Sequence, residues 1–279
     1  KNFNFIYITD QQSNTLEMFD IASKTSLAAY NMYPDVNFWL HCGDMVETSG
    51  TNNSEWEWER FFETQKKILM NNIFAPVIGN HDKSSNKNFT NHFYTDSIGF
   101  DYSLSTSPGS FYHFTIGDAL FIALSFEDYS KPGCMDSIAN WLKKVVKNNI
   151  DKKWKIVFYH KAIFTGSHSH QDDTDARIVR EKFAPLFDSL KIDIALQGHD
   201  HLYEIIGPIK DYKTIESSVF NQTIVPRTNR DNLTGRLGGI YDVKEGTLYF
   251  LNNSAGKKKY EPRDSISMEN SYPIHGIKN

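Results

Sequence analysis

The stretch Ile192-Asp193-Ile194-Ala195-Leu196-Gln197-Gly198-His199-Asp200-His201 decides how this chain is read. A short apolar run predicts a strand over 192–196, and it stops at a glycine followed at once by imidazole and carboxylate side chains. The same pattern recurs upstream. Residues 3–9 read as a strand that stops at Asp10, and residues 37–42 as one that stops at Gly43-Asp44. Residues 74–78 form a third run, ending at Gly79-Asn80-His81-Asp82, and 155–159 form a fourth, ending at His160.

Helical patterns fall between these runs. One covers 15–33 and is closed by Pro34. Another covers 54–72, with Ser54 as N-cap and Glu57 placed for a capping box. Residues 111–116 and 119–124 read as a hairpin turning at Gly117-Asp118. Amphipathic helices follow over 135–149 and 176–190, the second carrying Pro185 as a potential kink. The order βαβαβ, hairpin, αβαβ, then more β predicts an α/β layered domain, read as a single domain over 1–279. In such folds, sites lie outside the carboxyl ends of strands, where the metal-type residues gather here.

Composition narrows the classes. A chain of 279 residues with net charge −4 has no general polyanion-binding surface, which disfavours nucleic acid as a stoichiometric partner. No apolar run approaches the roughly 20 residues that span a bilayer. Two cysteines, Cys42 and Cys134, make no disulfide framework, and Cys42 reads as a buried thiol. The chain starts at Lys1, which a cleaved signal peptide and a trimmed product explain equally; the expectation leans to a secreted or cell-envelope location over a cytoplasmic one. Sequons at Asn52, Asn88, Asn221, Asn232 and Asn252 carry little weight in a chain this rich in Asn.

The residues at the strand ends are Asp10, Asp44, Asn80 with His81, His160, and His199 with His201. Carboxylate, amide and imidazole without thiolate argue against a structural zinc site and suit Zn, Mn or Fe ions. Two cations about 3.5–4 Å apart would neutralise an anionic phosphate ester and hold a nucleophile in line. Asp44 is the candidate bridge between them. Gly43, Gly79 and Gly198 each precede a ligand-bearing turn, although each taken alone is an ordinary turn glycine.

In their order and placement these segments resemble the calcineurin-like metallophosphoesterases, from residue 10 to residue 201. Within that superfamily the chain looks closest to bacterial proteins like the purple acid phosphatases. Gly198-His199-Asp200-His201-Leu202-Tyr203-Glu204 resembles their second histidine motif, and 246–256 resembles their closing strand. The resemblance implies a four-layer αββα sandwich of two mixed β-sheets flanked by helices. It implies one metal site of Asp10, Asp44 and His201, and another of Asp44, Asn80, His160 and His199. His81 would act on the leaving-group oxygen during attack by metal-bound hydroxide, and Asp82 would orient His81.

Two positions depart from the family pattern. Gln12 stands where many relatives have histidine, and Glu47 stands where purple acid phosphatases have a metal-binding tyrosine. Each is left open between a metal ligand and a supporting residue. The purple colour and a committed Fe(III) site are not expected.

His168 and His170, in the loop after His160, are expected at the substrate, against the plainer reading of an exposed His-rich loop. His41 and His113 lie inside strand-like runs and read as satisfied structural histidines. Trp56 and Trp58 read as core rather than substrate wall, and Lys257-Lys258-Lys259 as a solvated run. Asp172, Asp173 and Asp175 read as loop and helix-start residues. The expected activity is a phosphoesterase using two divalent ions on a small phosphorylated substrate, a phosphomonoesterase ahead of a phosphodiesterase or nucleotidase. The alternative is a catalytically weak binding or adhesion protein on the same scaffold.

Overall fold

The computed structural model describes residues 3–48, 54–83, 88–95, 100, 103, 110–167, 170, 172–215, 245–260 and 274–276. Two sheets pack face to face. The smaller contains β1 (Phe5–Ile8), β2 (Phe38–His41) and β3 (Ile73–Pro76), all parallel, in the order β1-β2-β3.

The larger sheet is mixed. Its strands are β4 (Tyr112–Ile116), β5 (Ala119–Ala123), β6 (Trp154–Lys161), β7 (Ile194–Gly198), β8 (Tyr203–Lys210), β10 (Thr247–Asn252) and β11 (Ile274–Gly276), with β9 (Lys213–Thr214) paired to β8. The order is β11-β8-β10-β7-β6-β5-β4. Strands β5, β6, β7 and β10 run parallel, and β4 and β8 turn back antiparallel.

Strand periodicity explains the layers. In β5, Ala119, Phe121 and Ala123 face the smaller sheet, while Leu120 and Ile122 face the opposite way. In β6, Ile156 and Phe158 alternate with Val157 and Tyr159 in the same sense. Both faces are apolar because both are covered, as a parallel sheet requires. Aromatic rings fill the gap between sheets: Phe38 meets Phe5 at 5.2 Å and Phe121 at 5.1 Å between centroids.

Helices α1 (Leu16–Met32) and α2 (Ser54–Leu69) cover the smaller sheet, with Phe19, Trp58, Phe61 and Ile68 buried against it. Helices α4 (Cys134–Asn148) and α5 (Thr174–Leu190) cover the larger one through Ile138, Leu142, Val179, Phe183 and Phe187. The four layers are those expected. A short helix, α3 (Asn88–His92), had no sequence signal, and Pro185 sits inside α5 without ending it. Among the described residues no helix is long and apolar enough to cross a membrane.

Several local expectations are corrected. The Ser54 side chain of the expected capping box lies outside the described side chains; the Glu57 carboxylate turns to the loop after Asp44 and accepts from the Glu47 and Thr48 amides. His41 is fully buried but neither ring nitrogen finds a hydrogen-bond partner, and burial with the nearby His160 charge holds it neutral, down to about 3. Nδ1 of His113 is likewise unpartnered. These histidines are structural, but they are not satisfied. Trp58 is core, whereas Trp56 is exposed and lies edge-on to Phe19. Cys42 and Cys134 are buried free thiols. Of the sequon residues, Asn88 is buried and Asn252 donates to the Tyr7 carbonyl, while Asn52, Asn221 and Asn232 lie outside the described residues.

Candidate metal centre

The ends of β1, β2, β3, β6 and β7 bring the predicted side chains together from four loops and a strand. The turns that do so are tight. Asp10, Gln12, Asp44 and His199 all adopt left-handed backbone, at φ of 56°, 38°, 56° and 73°. Such strain in non-glycine residues persists where the surroundings over-determine it, commonly at functional sites. Gly79 is required by contact rather than by φ: a Cβ there would strike the Asp44 backbone and carboxylate.

His160 is the centre of the cluster. Its Nδ1 lies 2.8 Å from the Cys42 carbonyl, which can only accept, so the proton sits there. Nε2 faces inward. Around it stand Asn80 Oδ1 at 3.0 Å, Asp44 Oδ2 at 3.1 Å and His199 Nδ1 at 3.2 Å. A carboxylate, an amide oxygen and two imidazole nitrogens converging on one point suit a cation. Asp44, His160 and His199 each offer a ligand atom within 4.8 Å of the others.

A second half lies beside it. His201 Nε2 is 3.3 Å from Asp10 Oδ1, yet among the described residues neither ring nitrogen of this buried residue finds a hydrogen-bond partner. Asp10 is held by the His199 amide at 3.0 Å and the Thr9 hydroxyl at 2.6 Å. Gln12 reaches the same place: Nε2 donates to Asp44 Oδ2 at 3.2 Å, and its buried Oε1 has no partner among the described residues. An orphaned amide oxygen and an orphaned imidazole beside two carboxylates fit a second cation.

The electrostatics follow from this crowding. Burial alone would raise the Asp44 carboxyl, but His160, then His81 and His199, hold it below the usual carboxylate range. Burial works against the charged form of His160, and Asp44 more than reverses this, up to about 10. His199 is lowered by burial and by its neighbour His160.

The structure places the remaining predicted residues as follows. His81 stands beside the ligands, its amide donating to Asp44 Oδ1 at 2.9 Å and its ring Nδ1 2.7 Å from the Glu47 carbonyl. Asp82 does not orient that ring. Its carboxylate is fully buried under the Asp44 turn and accepts from the amides of Asp44, Met45, Val46 and Gly79 at 2.6, 2.8, 3.2 and 2.9 Å. Burial and the Asp44 charge push Asp82 up to about 7 against those amides.

Glu47 is engaged elsewhere: both carboxylate oxygens lie 2.6 Å from Lys258 Nζ. Lys258 is therefore no idle member of a solvated run. His170 stacks at 4.2 Å from His199 and pairs with Asp173 at 2.8 Å through Nδ1. Asp175 starts α5 as expected but also pairs with Lys161. His168 lies outside the described residues.

Sequence reasoning missed the strap that follows β10. Ser254 donates to the Asp10 carbonyl at 2.6 Å, and the Tyr260 ring lies parallel to His201 at 4.3 Å and 3°. It also missed Glu57. No local spacing connects these residues to the ligands.

The chain is similar to known proteins to differing depths. Acid phosphatase type 7 of Mus musculus is 23% identical over 71% of this chain and 47% of its own length. Purple acid phosphatase 18 of Arabidopsis thaliana is 25% identical over 63% of this chain and 41% of its own. The chain thus spans less than half the length of these curated relatives.

Among solved structures, the purple acid phosphatase PPD1 from yellow lupin seeds superposes with a TM-score of 0.66 at 15% identity, covering 95% of this chain and 46% of that one. GAP50 of Plasmodium, described as the anchor in the inner membrane complex, gives 0.57 at 15% identity over 94% and 76%. At such identities these two likenesses are of fold alone. The sequence pattern of the calcineurin-like phosphoesterases matches residues 8–203, from the end of β1 into β8 and through every ligand-bearing strand end, so the chain belongs to that family.

Proposed function

We propose that this chain hydrolyses small phosphate monoesters with two divalent ions, one held by Asp10, Asp44 and His201 with Gln12 alongside, the other by Asp44, Asn80, His160 and His199. The observation that carries the reading is the inward-facing Nε2 of His160, ringed at 3.0–3.2 Å by three further ligand atoms. Fold likeness alone does not carry it, since GAP50 shares the fold and is described as an anchor.

Ions bound by these residues supply Lewis acidity and make water a better nucleophile near neutral pH. The chain's own groups do the rest. Asp44, shared by both halves, fixes the spacing between them. The Glu47 carbonyl accepts a hydrogen bond from His81 Nδ1, so that Nε2, when protonated, would serve the leaving-group oxygen. His170, beside His199 and backed by Asp173, is placed to hold a phosphate oxygen.

Turnover of p-nitrophenyl phosphate against bis-p-nitrophenyl phosphate, with Mn²⁺, Zn²⁺ and Fe²⁺, tests the reading. Preference for the monoester supports it. Preference for the diester makes the chain a phosphodiesterase, and a chain that binds ions but turns over neither ester would be a binding protein on this scaffold.

A further inference from the structure

We propose that Glu57, on α2, is a positioning residue for His81, acting through the peptide unit between Glu47 and Thr48. The proposal rests on the leaving-group role of His81 given above. His81 is fixed at two points. Its backbone amide is held by Asp44, but its ring direction depends on one hydrogen bond, from Nδ1 to the Glu47 carbonyl at 2.7 Å. That carbonyl shares a planar peptide unit with the Thr48 amide, and in a trans unit the C=O and N–H point opposite ways. The Thr48 amide donates to Glu57 at 2.9 Å. Fixing the N–H end therefore fixes the direction of the C=O end.

Glu57 is equipped for this. It is buried, at 3% exposure, and the same carboxylate oxygen takes the Glu47 amide at 3.0 Å. The other oxygen bonds the Thr48 hydroxyl. Three donors on two consecutive residues leave the loop little freedom. Its anchor, α2, is itself held by Trp58 and Phe61 in the core.

Lys258 secures the same residue from the opposite side. The Glu47 carboxylate lies 3.9 Å from His81 Nδ1, close enough to compete with the carbonyl for that proton. Lys258 occupies both of its oxygens at 2.6 Å. The strap after β10 thus keeps the side chain of Glu47 away from the ring that its backbone holds.

A loop pin that does not act through His81 would slow all substrates alike. A residue that aims His81 affects most the substrates that need leaving-group assistance. The test is kcat for phenyl phosphate relative to p-nitrophenyl phosphate, measured on the metal-loaded full chain carrying Glu57→Gln, Lys258→Met or His81→Ala. Gln offers one acceptor where three donors require two. For His81→Ala the ratio is expected to fall about 100-fold. For Glu57→Gln it is expected to fall about tenfold with both ions retained, and for Lys258→Met a few-fold, without loss of thermal stability.

Equal slowing of both substrates, or none, in Glu57→Gln and Lys258→Met alongside a discriminating His81→Ala overturns the proposal and leaves the role of His81 standing. An unchanged ratio in His81→Ala removes that role, and the proposal with it. Should Glu57→Gln fail to fold, Glu57→Asp, which keeps the carboxylate but shortens its reach, is read in its place against the same outcomes.

Discussion

Asp82 and Asp44 are joined by a buried hydrogen bond in which the Asp44 amide donates to the Asp82 carboxylate at 2.6 Å. Asp82 is therefore the floor of the bridging turn. It holds three successive amides of that turn and, through Gly79, the start of the next ligand loop. Asp82→Ala would leave four amide donors without their carboxylate, at a cost of roughly 3–5 kcal/mol given what unpaired buried groups lose. The expected result is a melting temperature about 10 °C lower and loss of bound metal, read by calorimetry and elemental analysis.

Gly79→Ala tests the closeness of the two loops. The added Cβ would meet Asp44 at its amide nitrogen and carboxylate, and neither is the free end of a flexible chain. Metal content should fall below half while far-UV circular dichroism stays that of the parent, because the displaced atoms are ligands and not core. An alanine variant with full metal occupancy would show that the loops have slack.

Glu204 makes stability depend on pH. Burial, eased by the Gly166 amide and worsened by Asp200, raises its carboxyl from an ordinary 4.5 to about 7. The folded chain therefore favours the protonated acid. Its contribution is fully present below about pH 4.5 and is lost as pH rises through 7, up to about 3 kcal/mol in all. Glu204→Gln, which removes the titration, should match the parent in melting temperature at pH 4.5 and exceed it by several degrees at pH 8. A constant difference across that range would rule out Glu204 as the source.

Tyr260 lies flat against His201, with a centroid distance of 4.3 Å. A ring packed flat on the His201 imidazole restricts its orientation, much as hydrogen-bonded partners do for metal-ligating histidines, whose loss typically costs 10–100-fold in affinity. Tyr260→Ala should weaken Mn²⁺ binding by about tenfold in calorimetric titration, and Tyr260→Phe should not, because the ring and not the hydroxyl makes the contact.

The layered fold was legible because the runs of β1, β2, β3, β6 and β7 are apolar and each stops at a ligand-type residue. Asp10, Asp44, Asn80, His160, His199 and His201 could be named from that coincidence alone. Bounds shifted by a residue or two: β3 starts at Ile73, not Phe74, since strand pairing with β2 begins there. What could not be read was long-range hydrogen bonding by ordinary residues. Glu57 has the spacing of a capping box, and only the fold reveals that a loop 9 and 10 residues upstream offers it better donors. Asp82 follows His81 directly, which suggests a pair, yet the turn places its carboxylate under the backbone instead. Lys258 sits among lysines in a stretch with no pattern, and its partner Glu47 is 211 residues away.

The account rests on the convergence around His160 and Asp10 being a place for two cations. Elemental analysis of protein purified without added metal, repeated after equilibration with Mn²⁺ and Zn²⁺, measures this directly. The account predicts two equivalents per chain after equilibration, near one or none in Asp44→Ala and His199→Ala, and phosphatase turnover that follows occupancy. A saturated chain that takes up no ion, or an Asp44→Ala variant that keeps both ions, would contradict it.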